Sequence, residues 1–299
     1  MSASFASALG AAREAAGSQH YPQGALYVVA TPIGNLADTT LRALHLLALV
    51  DAVACEDTRH TQALLRAYGI DKPAAALLPV HEHNEREAAP AVIERLRLGQ
   101  RVAYASDAGT PAVSDPGARL VAAVAAAGLR VVPVPGASSV TTLLSAAGAV
   151  GEGGFMFAGF LPAKAVEREA AVAACAAEPR AIVLLEAPHR MAGLATALAA
   201  LGGRPVTVGR ELTKQFEEIA TLACAALPDW LAANAQRGRG EFALLLHPQA
   251  ASPAPPQGEK VLRLLLAELP LKTAVRLAAE ITGEPRNALY QQALAIKGD

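Results

Sequence analysis

The chain has 299 residues, 53% hydrophobic and 18% charged, which supplies apolar surface for about two folded domains and argues against wholesale disorder. The formal net charge of -1 lacks the basic excess of a free-standing nucleic-acid-binding domain, so charge alone favours a small-molecule substrate. Three scattered cysteines, with no C-x-x-C pair, predict a reducing compartment and argue against a disulfide framework or a zinc site. The first 22 residues lack a secretory pattern, and no uncharged apolar stretch reaches membrane-spanning length, so we expect a cytoplasmic protein.

Strand and helix patterns alternate through the first half of the chain, after a flexible tail predicted for residues 1–22. The predicted strands cover residues 25–30, 52–55, 102–105 and 129–134. A helix is predicted after each strand, with one more over residues 85–98, and the predicted caps are Asp38, Asp57 or Thr58, and Asp115. This alternation predicts an α/β fold with a mostly parallel sheet that helices cover on both faces.

Four glycines in residues 148–154 indicate a hinge, and further strands are predicted over residues 155–159, 181–186, 206–210 and 242–247. After a linker rich in proline and alanine, two short helices around Gly283 look like a helix-turn-helix, with a packing or dimerisation appendage as the open alternative. The predicted domains are an N-terminal α/β domain (residues 23–150), a C-terminal α/β domain (151–247), the linker (248–258) and a helical module (259–299).

Some common catalytic motifs are missing from the sequence. No G-x-G-x-x-G motif follows a predicted strand and opens a helix, and no G-x-x-x-x-G-K-[ST] motif occurs. A G-x-S-x-G nucleophile elbow is missing as well. These absences weaken the interpretations as an NAD enzyme, an NTPase or a Rossmann-type methyltransferase.

Three glycine-containing corners follow strands of the first half: TPIGN at 31–35, SDAGTP at 106–111 and PGASS at 135–139. Ligands of open α/β sheets bind outside the carboxyl ends of the strands, where loop amides offer donors. Asp107 could accept hydrogen bonds from a ribose or an amino group, and Ser138 and Ser139 stand at a helix start that could hold a carboxylate. Any single corner reads best as an ordinary turn, but three together favour a nucleoside-like ligand.

Two polar clusters of the first half are candidates for contact with a substrate. In EDTRH at 56–60, Glu56 could act as a base or orient one, and Arg59 could hold a phosphate, while a purely structural role stays open. His81 and His83 have strand-like spacing that would put them on one face, without the further ligands a metal site needs. Contact with RNA or a surface loop is the better interpretation of this histidine pair.

The second half carries basic residues at or just past its strand ends, and RGRGE at 237–241 adds another basic turn. Arg190, Arg210 and Lys214 would supply positive charge near one edge, which is what contacts with phosphates require. Each cluster taken alone could equally be a solvated basic rim.

The motifs in chain order resemble the ribosomal RNA small subunit methyltransferase I family of the tetrapyrrole methylase superfamily. They are TPIGNL at 31–36, CEDTRHT at 55–61, SDAGTPAVSDPG at 106–117, GFLP at 159–162, RELTK at 210–214, GEF at 240–242, LPLK at 269–272 and NALY at 287–290. Two departures stand out: Ser139 falls where the family often has alanine, and the tail before Gln23 is longer than the family needs.

The resemblance implies two α/β domains with S-adenosylmethionine in the cleft between them, a homodimer, and 2′-O-methylation of a cytidine near the decoding centre of small-subunit ribosomal RNA. The candidate cofactor-binding residues are Pro32, Asp107, Ala108, Gly109, Thr110, Pro111, Ser138 and Ser139. The candidate catalytic residues are Glu56, Asp57 and Glu186, and no metal is required. The candidate contacts with RNA are Arg59, His81, His83, Arg190, Arg210 and Lys214.

Three other functions compete with this interpretation. A small-molecule methyltransferase of the tetrapyrrole type fits the near-neutral charge, and a knotted-fold ribose methyltransferase would share the activity without this two-domain layout. A non-catalytic ribosome-assembly factor would bind RNA through residues 259–299 and would bind no cofactor.

Overall fold

The computed structural model describes residues 5–149, 151, 153–249 and 257–298. These residues form two compact units. One contains the described residues up to Ala173 together with Arg180–Pro248, and the other contains Ala174–Pro179 and the described residues from Gln249 onwards. Most of the predicted linker, residues 250–256, lies outside the described residues.

The first half of the chain forms a sheet of five parallel strands with helices on both faces. The strands are β1 (Ala25–Val29), β2 (Ala52–Cys55), β3 (Leu77–Pro79), β4 (Val102–Ala105) and β5 (Arg130–Val134), in the order β3-β2-β4-β1-β5. The helices are α1 (Ala6–Ala16), α2 (Leu41–Leu49), α3 (Thr58–Ala67), α4 (Glu85–Arg97), α5 (Ala118–Ala126) and α6 (Ser139–Ala146). The predicted parallel α/β fold is therefore confirmed.

The strand residues are almost continuously apolar because both faces of this sheet are buried. Tyr27 and Val29 of β1 pack with α1, α2 and α3, whereas Leu26 packs on the opposite face with residues of α4 and α5. This alternation on neighbouring residues is the two-residue period of an extended strand. Because all five strands are parallel, their carboxyl ends lie along one edge of the sheet, and the loops that follow them meet there.

Helix α1 contradicts the flexible tail that was predicted for the start of the chain. Ala12 and Ala16 are buried, with 0% and 2% of their surfaces exposed, and Phe5 packs edge-on against Tyr68 with ring centroids 5.8 Å apart. The hydroxyl of Tyr21 donates to the carbonyl of Ala16 at 2.9 Å. Alanine has the best intrinsic helix propensity, and its small side chain lets α1 approach α2 closely. Composition alone hid this helix, because a tail rich in Ala, Ser and Gly also fits disorder.

Two predicted helix caps are also wrong. Thr40, not Asp38, caps α2, since its Oγ1 accepts from the amide of Ala43 at 3.1 Å. Helix α5 begins three residues after Asp115, and the distant carboxylate of Glu85 accepts from the amides of Arg119 and Leu120 at 2.9 and 3.3 Å. A cap supplied by another helix leaves no signal in the local sequence.

Gly117 precedes α5 in a conformation that requires glycine. Its φ is +121°, and an added Cβ would lie 2.2 Å from Cε1 of the buried Tyr104 ring. The backbone can therefore pass directly over this ring only where no side chain stands.

The second half forms a sheet in which β6 (Phe155–Phe160), β7 (Ala181–Glu186), β8 (Pro205–Arg210), β9 (Glu218–Ala223) and β10 (Phe242–Leu246) have the order β6-β7-β10-β8-β9. Only β6 and β7 are parallel, and the other pairs are antiparallel. Its helices are α7 (Ala165–Ala177), α8 (Pro188–Leu198) and α9 (Leu227–Ala232). The predicted boundary at residues 150 and 151 falls between the two sheets and stays a prediction.

The C-terminal residues form three helices, one more than the sequence predicted: α10 (Gln257–Glu268), α11 (Leu271–Thr282) and α12 (Arg286–Gly298). Their apolar core contains Leu262, Val275 and Leu289. Gly283 ends α11 in the left-handed conformation with φ +72°, so α11 and α12 are joined by the glycine turn that the sequence indicated.

Two further observations concern the cysteines and the length of the helices. The thiols of Cys55, Cys175 and Cys224 are all buried. Within the described residues, no helix has both the length and the apolar composition to cross a membrane.

Candidate functional site

The three glycine-containing corners meet at the carboxyl edge of the first sheet. Thr31 and Gly109 exchange backbone hydrogen bonds of 2.9 and 3.0 Å, which join the corner after β1 to the corner after β4. The hydroxyl of Thr110 donates to the carbonyl of Ala137 at 3.0 Å, which adds the corner after β5. The neighbouring positions of β4, β1 and β5 in the sheet explain this convergence.

A cavity of about 380 Å³ opens between these corners and the second sheet. Ala108, Gly109, Thr110, Ser138 and Ser139 line it from the first half, whereas Pro32, Asp107 and Pro111 do not belong to its lining. Glu186, Gly209 and Phe242 line it from the second half. Five of the eight predicted cofactor-binding residues therefore surround one space.

The start of α6 contributes backbone amides to the cavity wall. Ser138 occupies the cap position and makes no side-chain cap hydrogen bond, and Ser138, Ser139 and Val140 all line the cavity. The first amides of a helix lack partners within the helix and carry the positive end of its dipole. This end of the cavity is suited to a carboxylate.

Glu186 contributes a buried carboxylate that is only partly satisfied. Its side chain is 0% exposed, and Oε1 accepts from the amide of Ala187 at 2.9 Å and lies 3.0 Å from Nε of Arg190. Its Oε2 has no hydrogen-bond partner among the described residues. Since buried carboxylate oxygens are rarely left without a donor, a ligand that supplies an N–H or O–H fits here.

Further acidic groups gather beside the cavity. Asp115 and Glu241 line it, and Oδ1 of Asp107 accepts from the amide of Asp57 at 3.3 Å. Burial, then the charges of Asp107 and Asp115, raise the pKa of Glu56. Burial and the charges of Asp107 and Glu241 likewise raise the pKa of Asp115, against a hydrogen bond from Ser106 that lowers it. The surroundings are therefore negative and favour a ligand with a positive charge.

Asp57 has a structural role that conflicts with its predicted role as a base. Its Oδ1 accepts from the amide of Arg59 at 2.8 Å and caps α3. Its Oδ2 lies 2.7 Å from Nη2 of the same arginine, whose side chain is 90% exposed. Hydrogen bonds from Arg59 hold the pKa of Asp57 well below its usual range, so this carboxylate is a poor proton acceptor.

Arg210 is a structural residue rather than the RNA contact that its position suggested. It is 7% exposed, and its guanidinium donates to the carbonyls of Arg239 at 2.9 Å and Phe216 at 3.1 Å. Phe216 lies in the loop directly after β8 and Arg239 lies 29 residues after Arg210, so the guanidinium ties two loops to the end of β8.

Lys214 is also engaged within the protein. Its Nζ lies 2.8 Å from Glu211 and 3.0 Å from Glu241. Burial lowers the pKa of Lys214, but the hydrogen bonds to these two carboxylates outweigh it and leave the pKa raised. The two acids neutralise the charge that was predicted to hold a phosphate.

Arg190 is partly exposed and contacts the cavity residue Glu186, although it does not line the cavity itself. Its side chain is 24% exposed, and its Nη2 donates to the carbonyl of Leu161. Together with its contact to Glu186, this orients the guanidinium at the start of α8.

His81 and His83 lie in a turn and not on one face of a strand, because β3 ends at Pro79 and Asn84 closes the turn. The side chain of Asn84 accepts from the amide of His81 at 2.8 Å. The two rings have centroids 6.0 Å apart, and 81% of the His83 side chain is exposed. No group of three or more His, Cys, Asp or Glu residues with metal-binding geometry occurs in the part of the chain that the structure describes.

The sequence did not single out Asp115, Gly209 and Glu241 as cavity residues. Asp115 resembled a helix cap, and Glu241 was one member of a basic turn. At Gly209 an added Cβ would lie 2.8 Å from Cδ1 of Leu143, so the glycine permits β8 to approach α6. Only the packing of the second sheet against the first reveals these three roles.

Comparison with known proteins gives two family matches. The family described as Tetrapyrrole (Corrin/Porphyrin) Methylases matches residues 25–227, and the family described as RsmI C-terminal HTH domain matches residues 252–297. The match to the methylase family includes both the three corners and most of the second sheet.

Individual relatives agree with these families. The chain is 50% identical to Ribosomal RNA small subunit methyltransferase I of Pseudomonas aeruginosa, over 92% of this chain and 98% of that protein. It is 46% identical to the protein of the same name from Escherichia coli O157:H7, over 92% of this chain and 96% of that protein. Uroporphyrin-III C-methyl transferase from Thermus thermophilus complexed with S-adenyl homocysteine shares the fold, with a TM-score of 0.51 and 18% identity over 74% of this chain and 96% of that one. This chain therefore belongs to the ribosomal RNA small subunit methyltransferase I family, within the tetrapyrrole methylases.

Proposed function

We propose that this chain transfers a methyl group from S-adenosylmethionine to the ribose 2′-hydroxyl of a cytidine in small-subunit ribosomal RNA. The family supports methylation of this RNA, and the cytidine and its 2′-oxygen are the finer part of the proposal. The observation that carries it is the cavity between the two sheets, with helix amides at one end and the unsatisfied Oε2 of Glu186 in its wall.

The residues around the cavity fit the cofactor group by group. The amides at the start of α6, after Ser138, would hold the carboxylate of its amino-acid part. Oε2 of Glu186 would accept from a hydroxyl or amino group of the nucleoside. Asp115 and Glu241 would stabilise a cation, and the bound cofactor supplies an electrophilic methyl group on a positively charged sulfonium.

Glu56 is the base that the local electrostatics favour. A 2′-hydroxyl is a weak nucleophile, so a nearby acceptor for its proton should help the reaction. The raised pKa of Glu56 makes it a better acceptor than Asp57, whose pKa is lowered by Arg59. In the proposed step the 2′-oxygen bonds to the methyl carbon, the carbon–sulfur bond breaks, and the proton passes to the Glu56 carboxylate.

The proposed RNA contacts are the exposed groups near this edge. Arg59 is 90% exposed, His83 is 81% exposed, and Arg190 is partly exposed beside Glu186, so these side chains can reach a phosphate. His81 in the same turn as His83 belongs to this set. We further propose that the chain acts as a homodimer in the cytoplasm, as the family resemblance implies.

The test is transfer of a labelled methyl group from S-adenosylmethionine to isolated small ribosomal subunits. A methylated 2′-oxygen cannot attack its neighbouring phosphate, so the labelled nucleotide should survive alkaline hydrolysis as a resistant dinucleotide. Labelling of a tetrapyrrole instead of the subunits would establish the small-molecule alternative. A folded protein that binds RNA but no cofactor in calorimetry would establish the assembly-factor alternative.

Glu186→Gln tests the cavity directly. The amide keeps the shape of the side chain but removes the charge that faces Arg190 and half of the acceptor capacity. We expect cofactor affinity to fall about tenfold, as for the loss of one charge-assisted hydrogen bond. Glu169→Gln on the exposed face of α7 is the matched control and should bind cofactor like the wild type. Equal affinity of both variants would remove Glu186 from the cofactor site.

A further inference from the structure

The C-terminal helical unit carries a groove between α11 and α12 that the cofactor site does not explain. It has a volume of about 370 Å³ and is lined by Lys272, Val275, Arg276, Arg286, Asn287 and Tyr290. All of these except Val275 are exposed. Three cationic side chains, one amide and one aromatic ring therefore share one open surface, which we call the α11–α12 groove.

Charge in this groove is mostly not neutralised by the protein. Lys272 makes no ion pair with any described residue. Glu280 contacts two of the groove arginines: its Oε1 lies 3.0 Å from Nη1 of Arg276 and 3.9 Å from Nη2 of Arg286. One carboxylate thus faces two guanidiniums from different helices, which fixes their positions and leaves an excess of positive charge.

The placement of these residues follows from the local fold. Lys272 and Arg276 are four residues apart on α11, and Arg286 and Tyr290 are four residues apart on α12, so each pair shares one helix face. The left-handed Gly283 turns the chain between the helices. In a helix-turn-helix, the first residues of the second helix are those that contact nucleic acid, and here they include Arg286 and Asn287.

We infer that the α11–α12 groove binds single-stranded RNA, with Lys272, Arg276 and Arg286 on backbone phosphates and Tyr290 stacking on an unpaired base. Guanidinium forks match phosphate oxygens in two-point contacts, and an aromatic ring accepts any unstacked base. Asn287 offers both a donor and an acceptor to a base edge. The inference rests on the proposed function, since it assigns to this unit a share in holding the ribosomal RNA substrate.

The net charge of -1 for the whole chain means that RNA binding depends on local basic surfaces such as this groove. A protein without a global basic excess can hold RNA only through local basic surfaces. In the cavity-bearing unit, Arg210 and Lys214 are used internally, so much of the predicted basic rim there is already paired. The α11–α12 groove supplies cations that are open to phosphates.

The first experiment measures the affinity of the full-length protein for a short fluorescent single-stranded RNA at several salt concentrations, by anisotropy. The double substitution Lys272→Gln and Arg286→Gln should weaken binding about tenfold at physiological salt and reduce the slope of log affinity against log salt by about 1.4, the value for two phosphate contacts. The matched control, Lys260→Gln and Arg263→Gln, removes two exposed charges from α10 and should behave as the wild type.

Two single variants separate RNA binding from a structural role. Glu280→Gln removes the acid between the two arginines, and the inference expects tighter RNA binding, whereas a structural ion pair would give no gain. Tyr290→Leu keeps apolar bulk without the ring and should lose about tenfold in affinity, with Tyr290→Phe close to the wild type. Circular dichroism of each variant establishes that the helices are retained.

Each result has a defined meaning. Wild-type affinity and slope in the groove double variant would overturn the inference, and so would binding that is weakened equally at all salt concentrations, because the loss of phosphate contacts must lower the salt slope. Cofactor calorimetry should be unchanged in the groove variants. Failure of the proposed function would instead appear as absence of methyl transfer by the wild type, whatever the groove variants do.

Discussion

The pKa of Glu56, which the charge of Asp115 helps to raise, should set the pH dependence of the methyl-transfer rate. If Glu56 accepts the proton, methyl transfer requires its ionised form, so the single-turnover rate should rise with pH through the raised pKa of Glu56. Asp115→Asn removes one of the negative charges that raise this pKa. We expect the acid limb of the pH–rate profile to move to lower pH in this variant.

The control for this shift is Asp229→Asn, which neutralises an exposed acid on α9 and should leave the profile in place. An acid limb that stays where it is in Asp115→Asn would mean that Glu56 is not the titrating group. Loss of rate without a shift would instead point to a binding role for Asp115.

Gly34 lies where the corner after β1 packs tightly against the loop after β8. An added Cβ would lie 2.4 Å from Cγ of Lys214 and 3.1 Å from the carbonyl oxygen of Leu212, and the amide of Asn35 donates to Oγ1 of Thr213 at 3.1 Å. We expect Gly34→Ala to force these loops apart, to cost about 1–3 kcal/mol of stability and to lower turnover.

The same glycine-to-alanine substitution at Gly10 should increase stability, because an added Cβ there meets no atom within 4 Å. Gly10→Ala should raise the free energy of unfolding by up to about 1 kcal/mol, as expected for alanine in a helix. Urea unfolding and methyl transfer measured on both variants separate the two effects. Full activity of Gly34→Ala would show that the loops do not need this contact.

Single residues were predictable from sequence where their role depends on position along a strand. Glu186 is the last residue of β7 and Ser138 follows the end of β5, and both line the cavity. Arg210 also stands at a strand end, but its guanidinium is used inside the protein, and its contact with Arg239, 29 residues away, leaves no signal in the local sequence. A basic residue at a strand end therefore looks the same whether it faces solvent or closes a loop.

Helix α1 is the element whose importance can be measured most directly. Ala12 is 0% exposed where α1 packs on α2, whereas Ala11 beside it is exposed. Ala12→Leu should overpack this contact and lower the free energy of unfolding by about 1–3 kcal/mol. Ala11→Leu should change it by less than about 0.5 kcal/mol, as exposed substitutions do. Equal urea midpoints for the two variants would mean that α1 is not packed in solution.

Strands with a strong apolar pattern were easier to predict than short or partly exposed ones. Strands β2, β4 and β7 have the predicted bounds because each is a short apolar run that ends in polar residues. Strand β3 has only three residues and ends in Pro79, and β9 is a partly exposed edge strand, so neither carries a strong apolar signal. Helix α10 begins at Gln257, inside the predicted linker, and was not predicted although its sequence carries an apolar face.

At the scale of the whole molecule, cofactor binding and RNA binding should differ in their dependence on salt concentration. Cofactor binding in the cavity depends on a few short-range contacts, whereas RNA binding releases counterions from phosphates. Calorimetry with S-adenosylmethionine should give nearly constant affinity as salt increases, while RNA affinity should fall steeply. A steep salt dependence of cofactor affinity would contradict this separation.

The α/β architecture with two sheets followed from the periodicity of the chain, but its assembly did not. The mostly antiparallel order of the second sheet brings β10 between β7 and β8, which pairs Phe242 with Glu186 and places Gly209 in the same cavity wall. Such neighbours are far apart in sequence, and only tertiary packing selects them. The part of the cavity at the edge of the first sheet and Glu186 in the second wall could therefore be predicted, whereas Gly209 and Phe242 could not.

The three buried thiols can report local unfolding of this protein, because each reacts only when its region opens to solvent. Burial raises the pKa of Cys55, and it raises the pKa of Cys224 to about 11, so these two groups are scarcely ionised at neutral pH and resist alkylation while the fold is closed. Cys55 ends β2 in the first sheet, Cys175 lies on α7, and Cys224 follows β9 in the second sheet. Pulsed alkylation read by mass spectrometry would time the loosening of three separate regions in the unmodified chain, without adding a probe.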